Sequence, residues 1–159
     1  FELVDSEVQR DNRKSAYNER HDQLKRAEEI LNVENLGSVK IDQLNKKKID
    51  DLLIYKRALH VVTENQRTKD AKNFMLKQDM KQFGHLMNLS HSSYSKDFEA
   101  STEEVDLLTK RSIESGALGC RLTGGGFGGF TVSLIAKKDY EQWYKNMSEF
   151  YSKDKFFKV

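Results

Sequence analysis

The stretch Gly116–Ala136, GALGCRLTGGGFGGFTVSLIA, holds seven of the chain's nine glycines, five of them in the six positions Gly124–Gly129. Glycine reaches positive φ without a Cβ penalty and lets a backbone come close to a neighbour, at roughly 0.5–1 kcal/mol against alanine in regular structure. So dense a cluster demands a loop. By letter the run fits the dinucleotide fingerprint, Gly124-x-Gly126-x-x-Gly129, but that motif must open into a helix carrying phosphate on its N-terminus. Here Phe130, Val132 and Leu134 alternate with Thr131 and Ser133, which is the period of a strand. No Gly-Lys-Ser/Thr closes the run, so it is not a Walker A loop. Two readings remain. One is a loop between strands Cys120–Thr123 and Phe130–Ala136 whose successive N–H groups face an anion. The other is a wide turn in which the glycines relieve crowding.

Most of the remaining chain has helical period. Ser15 can cap a helix from near Tyr17, with Tyr17, Leu24, Ala27 and Leu31 on one face and Gly37 in its terminating loop. Val39–Leu53 reads as a short helix with Asp42 near its start, and Leu53–Asn73 continues as helix. Arg57, His60, Glu64 and Arg67 fall on one face of it, spaced for pairing. This row reads as a buried or half-buried polar network, not a catalytic set. Phe74–His91 reads as a further helix with Leu76, Met80, Phe83 and Met87 in a core stripe. Gly84 within it points to a close approach of helix to backbone, and His91 to an imidazole satisfied by a neighbouring backbone group. Ser92–Ser101 reads as a serine-rich loop, and Ser101-Thr102-Glu103-Glu104 as the cap of a helix that Gly116 ends. Asp139–Tyr151 carries Tyr140, Trp143, Tyr144, Met147, Phe150 and Tyr151 at helical spacing, a stripe suited to covering a sheet. Phe1–Val8 and Phe156–Val159 complete the pattern as strands. The order implies one α+β domain over residues 1–159, a small antiparallel sheet with helices packed on one face.

Acids and bases nearly cancel, 25 against 27, which argues against nucleic acid as a partner. The densest basic run, Lys46-Lys47-Lys48, reads as a solvated helix face. No apolar run approaches the ~20 residues of a membrane span. Cys120 is the single cysteine, consistent with a reducing cytoplasm and with a buried small hydrophobe.

Gly116–Leu134 closely resembles the third signature of the GHMP small-molecule kinases, in the Gly-Phe-Gly-Gly form of galactokinases. Further blocks follow galactokinases in the same order: Ser15-x-Tyr17-Asn18-Glu19-Arg20, Arg57-Ala58-x-His60-Val61-Val62-x-Glu64-x-x-Arg67, Phe83-Gly84-x-Leu86-Met87-Asn88-x-Ser90-His91 and Asp97-Phe98-Glu99-x-Ser101. The chain thus resembles the C-terminal half of a galactokinase.

That resemblance implies a ferredoxin-like C-terminal domain, lacking the N-terminal domain that carries the ATP-cradling loop and the aspartate base. It implies ATP-dependent phosphorylation of galactose at the anomeric hydroxyl, in the cytoplasm, with Mg²⁺ between the nucleotide phosphates. ATP and Mg²⁺ would be bound mainly by the other half, and this chain alone is expected to be inactive. Tyr17 matches a tyrosine that contacts the sugar. Gly124, Gly125, Gly126, Phe127, Gly128 and Gly129 would lie near the phosphates, with bare backbone at Gly125 and Gly126 admitting the other domain's phosphate loop. Arg10 matches a basic position of the family, with a sugar- or phosphate-side role or a plain exposed loop arginine as its two readings. No residue matches the base and none is a metal ligand. Two alternatives stay open: a galactokinase-like sensor of sugar and ATP that regulates a partner, and a related kinase for N-acetylgalactosamine.

Overall fold

The computed structural model describes residues 1–8, 13–44 and 49–159. Arg10 and Lys46–Lys48 therefore lie outside the described residues. Four strands, β1 (Glu2–Asp5), β2 (Gly119–Leu122), β3 (Phe130–Leu134) and β4 (Phe156–Lys158), form one sheet in the order β2-β3-β1-β4. All neighbours are antiparallel, with Leu3 opposite both Val132 and Phe157 and Cys120 opposite Ser133. The helices are α1 (Arg13–Leu31), α2 (Leu52–Leu76), α3 (Met80–Lys96), α4 (Glu103–Glu114) and α5 (Tyr140–Met147). Helices α1–α4 connect β1 to β2 and α5 connects β3 to β4, which is the split βαβ order of a ferredoxin-like domain.

Pleat alternation places Val4, Cys120, Leu122, Thr131 and Ser133 on one buried face. Helices α4 and α5 cover it: Val4, Leu108, Trp143 and Met147 form one core cluster. The Trp143 indole is fully buried and donates to the Ser112 carbonyl at 3.1 Å, as a buried indole N–H must. Ser112 and Ser133 hydroxyls meet at 2.7 Å, and Ser133 donates to the Cys120 sulfur at 3.2 Å. Burial pushes the Cys120 thiol up, so this cysteine is inert. A second cluster, with Ala27, Leu36, Ile54, Ala58 and Val62, joins α1 to α2.

Helix α3 runs along β2 so closely that glycine is required on both sides. A Cβ on Gly84 would stand 2.5 Å from the Leu118 carbonyl oxygen, and one on Gly119 would meet the backbone of Gly84. The outward amide of Cys120 donates to Asn88 Oδ1 at 2.9 Å and that of Leu122 to His91 Nδ1 at 3.4 Å. The close approach expected at Gly84 and the backbone partner expected for His91 are both present.

Several boundaries differ from the sequence expectation. Helix α1 begins at Arg13, so Ser15 lies inside it instead of capping it, and Asn32 at φ 51° ends it; asparagine tolerates the left-handed region. Gly37 belongs to a separate 3₁₀ turn, Leu36–Ser38. In the described part of Val39–Asp51 there is no helix: the Asp51 carboxylate accepts from the amides of Leu53 and Ile54 and starts α2 at Leu52. Phe74–His91 is broken, because Gln78 at φ 57° and the Asp79 cap restart the chain as α3. Leu76 leaves the core stripe and is 75% exposed. Ser92–Lys96 is helix, not loop, with Ser93 and Ser95 donating to Asp97 and Asp106 at 2.8 and 2.7 Å. Thr102 caps α4 as the acidic run requires. Helix α5 stops at Met147, leaving Phe150 exposed under the Arg111 guanidinium, 4.2 Å from its ring centre.

Candidate functional site

The glycine loop, residues 124–129, joins β2 to β3 and is held on three sides by its own chain. Gly124, Gly126, Gly128 and Gly129 all have positive φ, as does Phe127 at 57°. The Phe127 amide donates to the Ala100 carbonyl at 2.7 Å, the Ser6 amide donates to the Gly129 carbonyl at 2.9 Å, and Gly128 packs on Val8. A Cβ on Gly126 would fall on the Ala100 carbonyl oxygen. Gly126 is therefore bare at least to admit Ala100 of the same chain, a contact that glycine density alone does not reveal. Gly124 and Gly125 are exposed, and a Cβ at either would meet nothing within 4 Å. No acceptor among the described backbone takes the Gly125 or Gly126 amide.

One phenol bonds this loop and a second lies near the first. The Tyr94 hydroxyl, on α3, donates to the Gly124 carbonyl at 3.4 Å. Burial pushes the Tyr94 phenol up, and Tyr17 is near enough to add to the rise. Tyr17, in the first turns of α1, is 60% exposed. Arg20 lies one turn further along the same helix, with its guanidinium carbon 5.9 Å from the Phe127 ring centre. Tyr17 thus lies near Tyr94, whose hydroxyl bonds the loop, and the Ser92–Ser101 stretch that reads as a loop in the sequence supplies Tyr94 from helix α3.

The row Arg57, His60, Glu64, Arg67 forms the floor behind them. Arg57, 1% exposed, donates to Gln23 at 2.9 Å, to Glu99 at 2.7 Å and to the Asp97 carbonyl. This guanidinium holds the Glu99 carboxyl below the usual range. Glu64 accepts from Arg67 at 2.6 Å, from Arg121 at 2.9 Å and from Ser90. Burial raises the Glu64 pKa, but those three donors outweigh it and leave the carboxyl ionised below its ordinary value. Only Glu64 and Arg67 pair within the row; the other two reach across to α1 and to the segment after α3.

His60 Nδ1 lies 3.0 Å from the Ser93 hydroxyl, which itself donates to Asp97 at 2.8 Å. Since the hydroxyl proton goes to Asp97, His60 is the donor to Ser93. That is the wrong direction for a histidine base activating a serine. The imidazole also stacks on Phe98 at 4.8 Å and meets the Tyr94 edge at 4.8 Å. Buried and bonded in this way, it belongs to a polar network of the kind the row predicts.

Burial lowers the His60 pKa from 6.5 to about 4. The unfolded chain therefore binds a proton between those values that the folded chain refuses, and stability falls as pH falls through that window. The His60 contribution is full above pH 6.5, declines toward pH 4 and is flat below, about 3 kcal/mol in all. Urea unfolding from pH 7 to 4.5 should show this slope, and His60→Gln should flatten it. An equally steep limb in the variant would assign the slope elsewhere. His91, lowered by burial against the opposing Asp106 at 3.1 Å, adds in the same direction.

A family model described as "GHMP kinases C terminal" matches residues 71–153. The galactokinase of Fusobacterium nucleatum is 39% identical over 145 residues, covering 86% of this chain and 37% of the relative. That of Levilactobacillus brevis is 35% identical over 167 residues, covering 94% and 43%. The crystal structure of Lactococcus lactis galactokinase complexed with galactose superposes with a TM-score of 0.90 at 30% identity, over 98% of this chain and 43% of that one. The chain thus spans about two fifths of the length of these relatives. Glycine loop, sheet order and matching relatives agree: the chain belongs to the GHMP kinase C-terminal family and is similar to the corresponding part of galactokinases.

Proposed function

We propose that this chain is the C-terminal part of an ATP-dependent kinase that phosphorylates galactose at its anomeric hydroxyl. The observation that carries the reading is the fit of 98% of the chain to a galactokinase solved with galactose. The exposed Tyr17, near the Tyr94 that bonds the glycine loop, supports it. Tyr17 offers the sugar a hydroxyl and an apolar ring face. The outer end of the loop, at Gly124 and Gly125, suits an anion: among the described residues no side chain stands in the way and no backbone acceptor takes the Gly125 amide. Gly126, Phe127, Gly128 and Gly129 hold that end in place; for Arg10, outside the described residues, the resemblance offers a sugar- or phosphate-side contact or a plain loop arginine.

ATP supplies the phosphoryl group, and phosphoryl transfer rests on positioning and charge stabilisation. Among the described residues no three His, Cys, Asp or Glu side chains gather as metal ligands. By the resemblance to galactokinases, Mg²⁺ belongs with the nucleotide phosphates and the N-terminal domain, which also brings the ATP-cradling loop and the base. The resemblance to galactokinases assigns the enzyme to the cytoplasm. Among the described residues no helix is long and apolar enough to cross a membrane.

The intact polypeptide should form galactose 1-phosphate from galactose and MgATP, whereas the 159-residue chain alone should form none. Tyr17→Ala in the intact enzyme should raise KM for galactose about tenfold, the worth of one good sugar hydrogen bond with its packing. Unaltered kinetics in that variant would remove Tyr17 from the sugar site, and sugar binding without turnover by the intact protein would make it a sensor.

A further inference from the structure

Between α3 and α4, four consecutive backbone carbonyls each accept a hydrogen bond from a distant part of the chain. The Asp97 carbonyl accepts from Arg57, the Phe98 carbonyl from Arg20 Nε at 2.8 Å and the Glu99 carbonyl from Arg20 at 3.0 Å. The Ala100 carbonyl accepts from the Phe127 amide at 2.7 Å. Two arginines on α1 and α2 thus grip three carbonyls, and the fourth carbonyl grips the glycine loop. Arg57 also ties down the Glu99 side chain at 2.7 Å, which matters because Glu99 itself sits at φ 51°. Neither Glu99 nor Phe127 is glycine, so each left-handed conformation costs about 1–3 kcal/mol and persists only where its surroundings impose it. Ala100 is fully buried between the two.

Charge-assisted bonds from a planar guanidinium suit this task. Their donors diverge at fixed angles, so one side chain sets two carbonyls at once. Arg20 lies three residues after Tyr17 on α1, so the helix that presents the phenol also holds the segment behind the loop. We propose that Arg20 and Arg57 are positioning residues that, through the carbonyls of residues 97–100, set the glycine loop at a fixed separation from Tyr17 for phosphoryl transfer. The proposal deepens the galactose-kinase reading and rests on it for the chemistry.

The test is Arg20→Lys and Arg57→Lys in the intact enzyme, since lysine keeps the charge but loses the fork. Hydrogen exchange at the Phe127 amide should quicken about tenfold, as for one lost charge-assisted bond. The Leu118 amide, bonded to Leu134 in the sheet at 2.8 Å, should exchange as before. In the same variants kcat should fall about tenfold to a hundredfold, the usual cost of a small misplacement at a reacting centre. Uniform acceleration of both amides would mean that the arginines merely stabilise the domain, and would overturn the proposal. Selective release of Phe127 with kcat unchanged would overturn it too. If Arg57→Lys does not fold, Arg20→Lys still decides, since Arg20 holds the two middle carbonyls. An intact wild type that does not phosphorylate galactose would sink the functional reading, leaving the exchange comparison to judge the grip on the loop by itself.

Discussion

Gly126→Val in the intact enzyme is expected to reduce kcat/KM for galactose by about a hundredfold, as a displaced catalytic loop does. Two costs combine. Gly126 sits at φ +83°, where a β-branched residue is strained by roughly 1–2 kcal/mol. Its Cβ would also fall on the Ala100 carbonyl, a backbone atom that cannot swing aside. The Ala100–Phe127 hydrogen bond must then break and the loop must shift. Gly125→Ala is the control, because its Cβ meets nothing within 4 Å and its φ is not left-handed. It should leave the melting temperature unchanged, and any loss of activity in it reports what approaches the loop from outside. If Gly126→Val keeps both wild-type turnover and wild-type melting temperature, the loop has no part in the site.

The second large effect is at the crossing of α3 and β2. Gly84→Ala should cost about 3 kcal/mol, the upper end of ordinary overpacking, and lower the melting temperature by about 10 °C. The added methyl would lie 2.5 Å from the Leu118 oxygen and 2.6 Å from its carbonyl carbon, so helix and strand must separate. Gly119→Ala should behave alike, since its Cβ meets Gly84. The double substitution should cost less than the sum, because one separation relieves both overlaps. Thermal unfolding of the three variants checks this, and strict additivity would show that the two glycines do not share one contact.

The glycine loop, both flanking strands and the layered architecture were legible because period and glycine density are local signals. The polar row on α2 was legible as a row, but not its partners. Arg57 bonds to Asp97 and Glu99 and His60 stacks on Phe98, some forty positions away, and no spacing rule reports such a distance. The serines after His91 misled for a related reason. Their hydroxyls have fixed partners at Asp97 and Asp106, so the usual pull of serine toward loops does not apply. The breaks at Asn32 and Gln78 rest on non-glycine residues in left-handed conformations, which leave little trace in composition. Tyr94 escapes notice in the sequence because serine-rich Ser92–Ser101 reads as a loop, whereas helix α3 runs through it to Lys96.

The glycine crossing bears on how this domain avoids sticking to its neighbours. A strand at the margin of a sheet ordinarily advertises a row of unused amides to any other extended chain. On β2 that advertisement is withdrawn, because Asn88 and His91 occupy the outward amides of Cys120 and Leu122. The opposite margin, β4, carries a lysine at each end of Phe156–Lys158, Lys155 just before it and Lys158 within it, and charge at an edge discourages pairing. One margin is thus capped by a helix drawn in to touching distance, and the other is marked by lysines that deter a stranger. Loosening Gly84 or Gly119 would therefore cost more than stability, since it would uncover a template for aggregation.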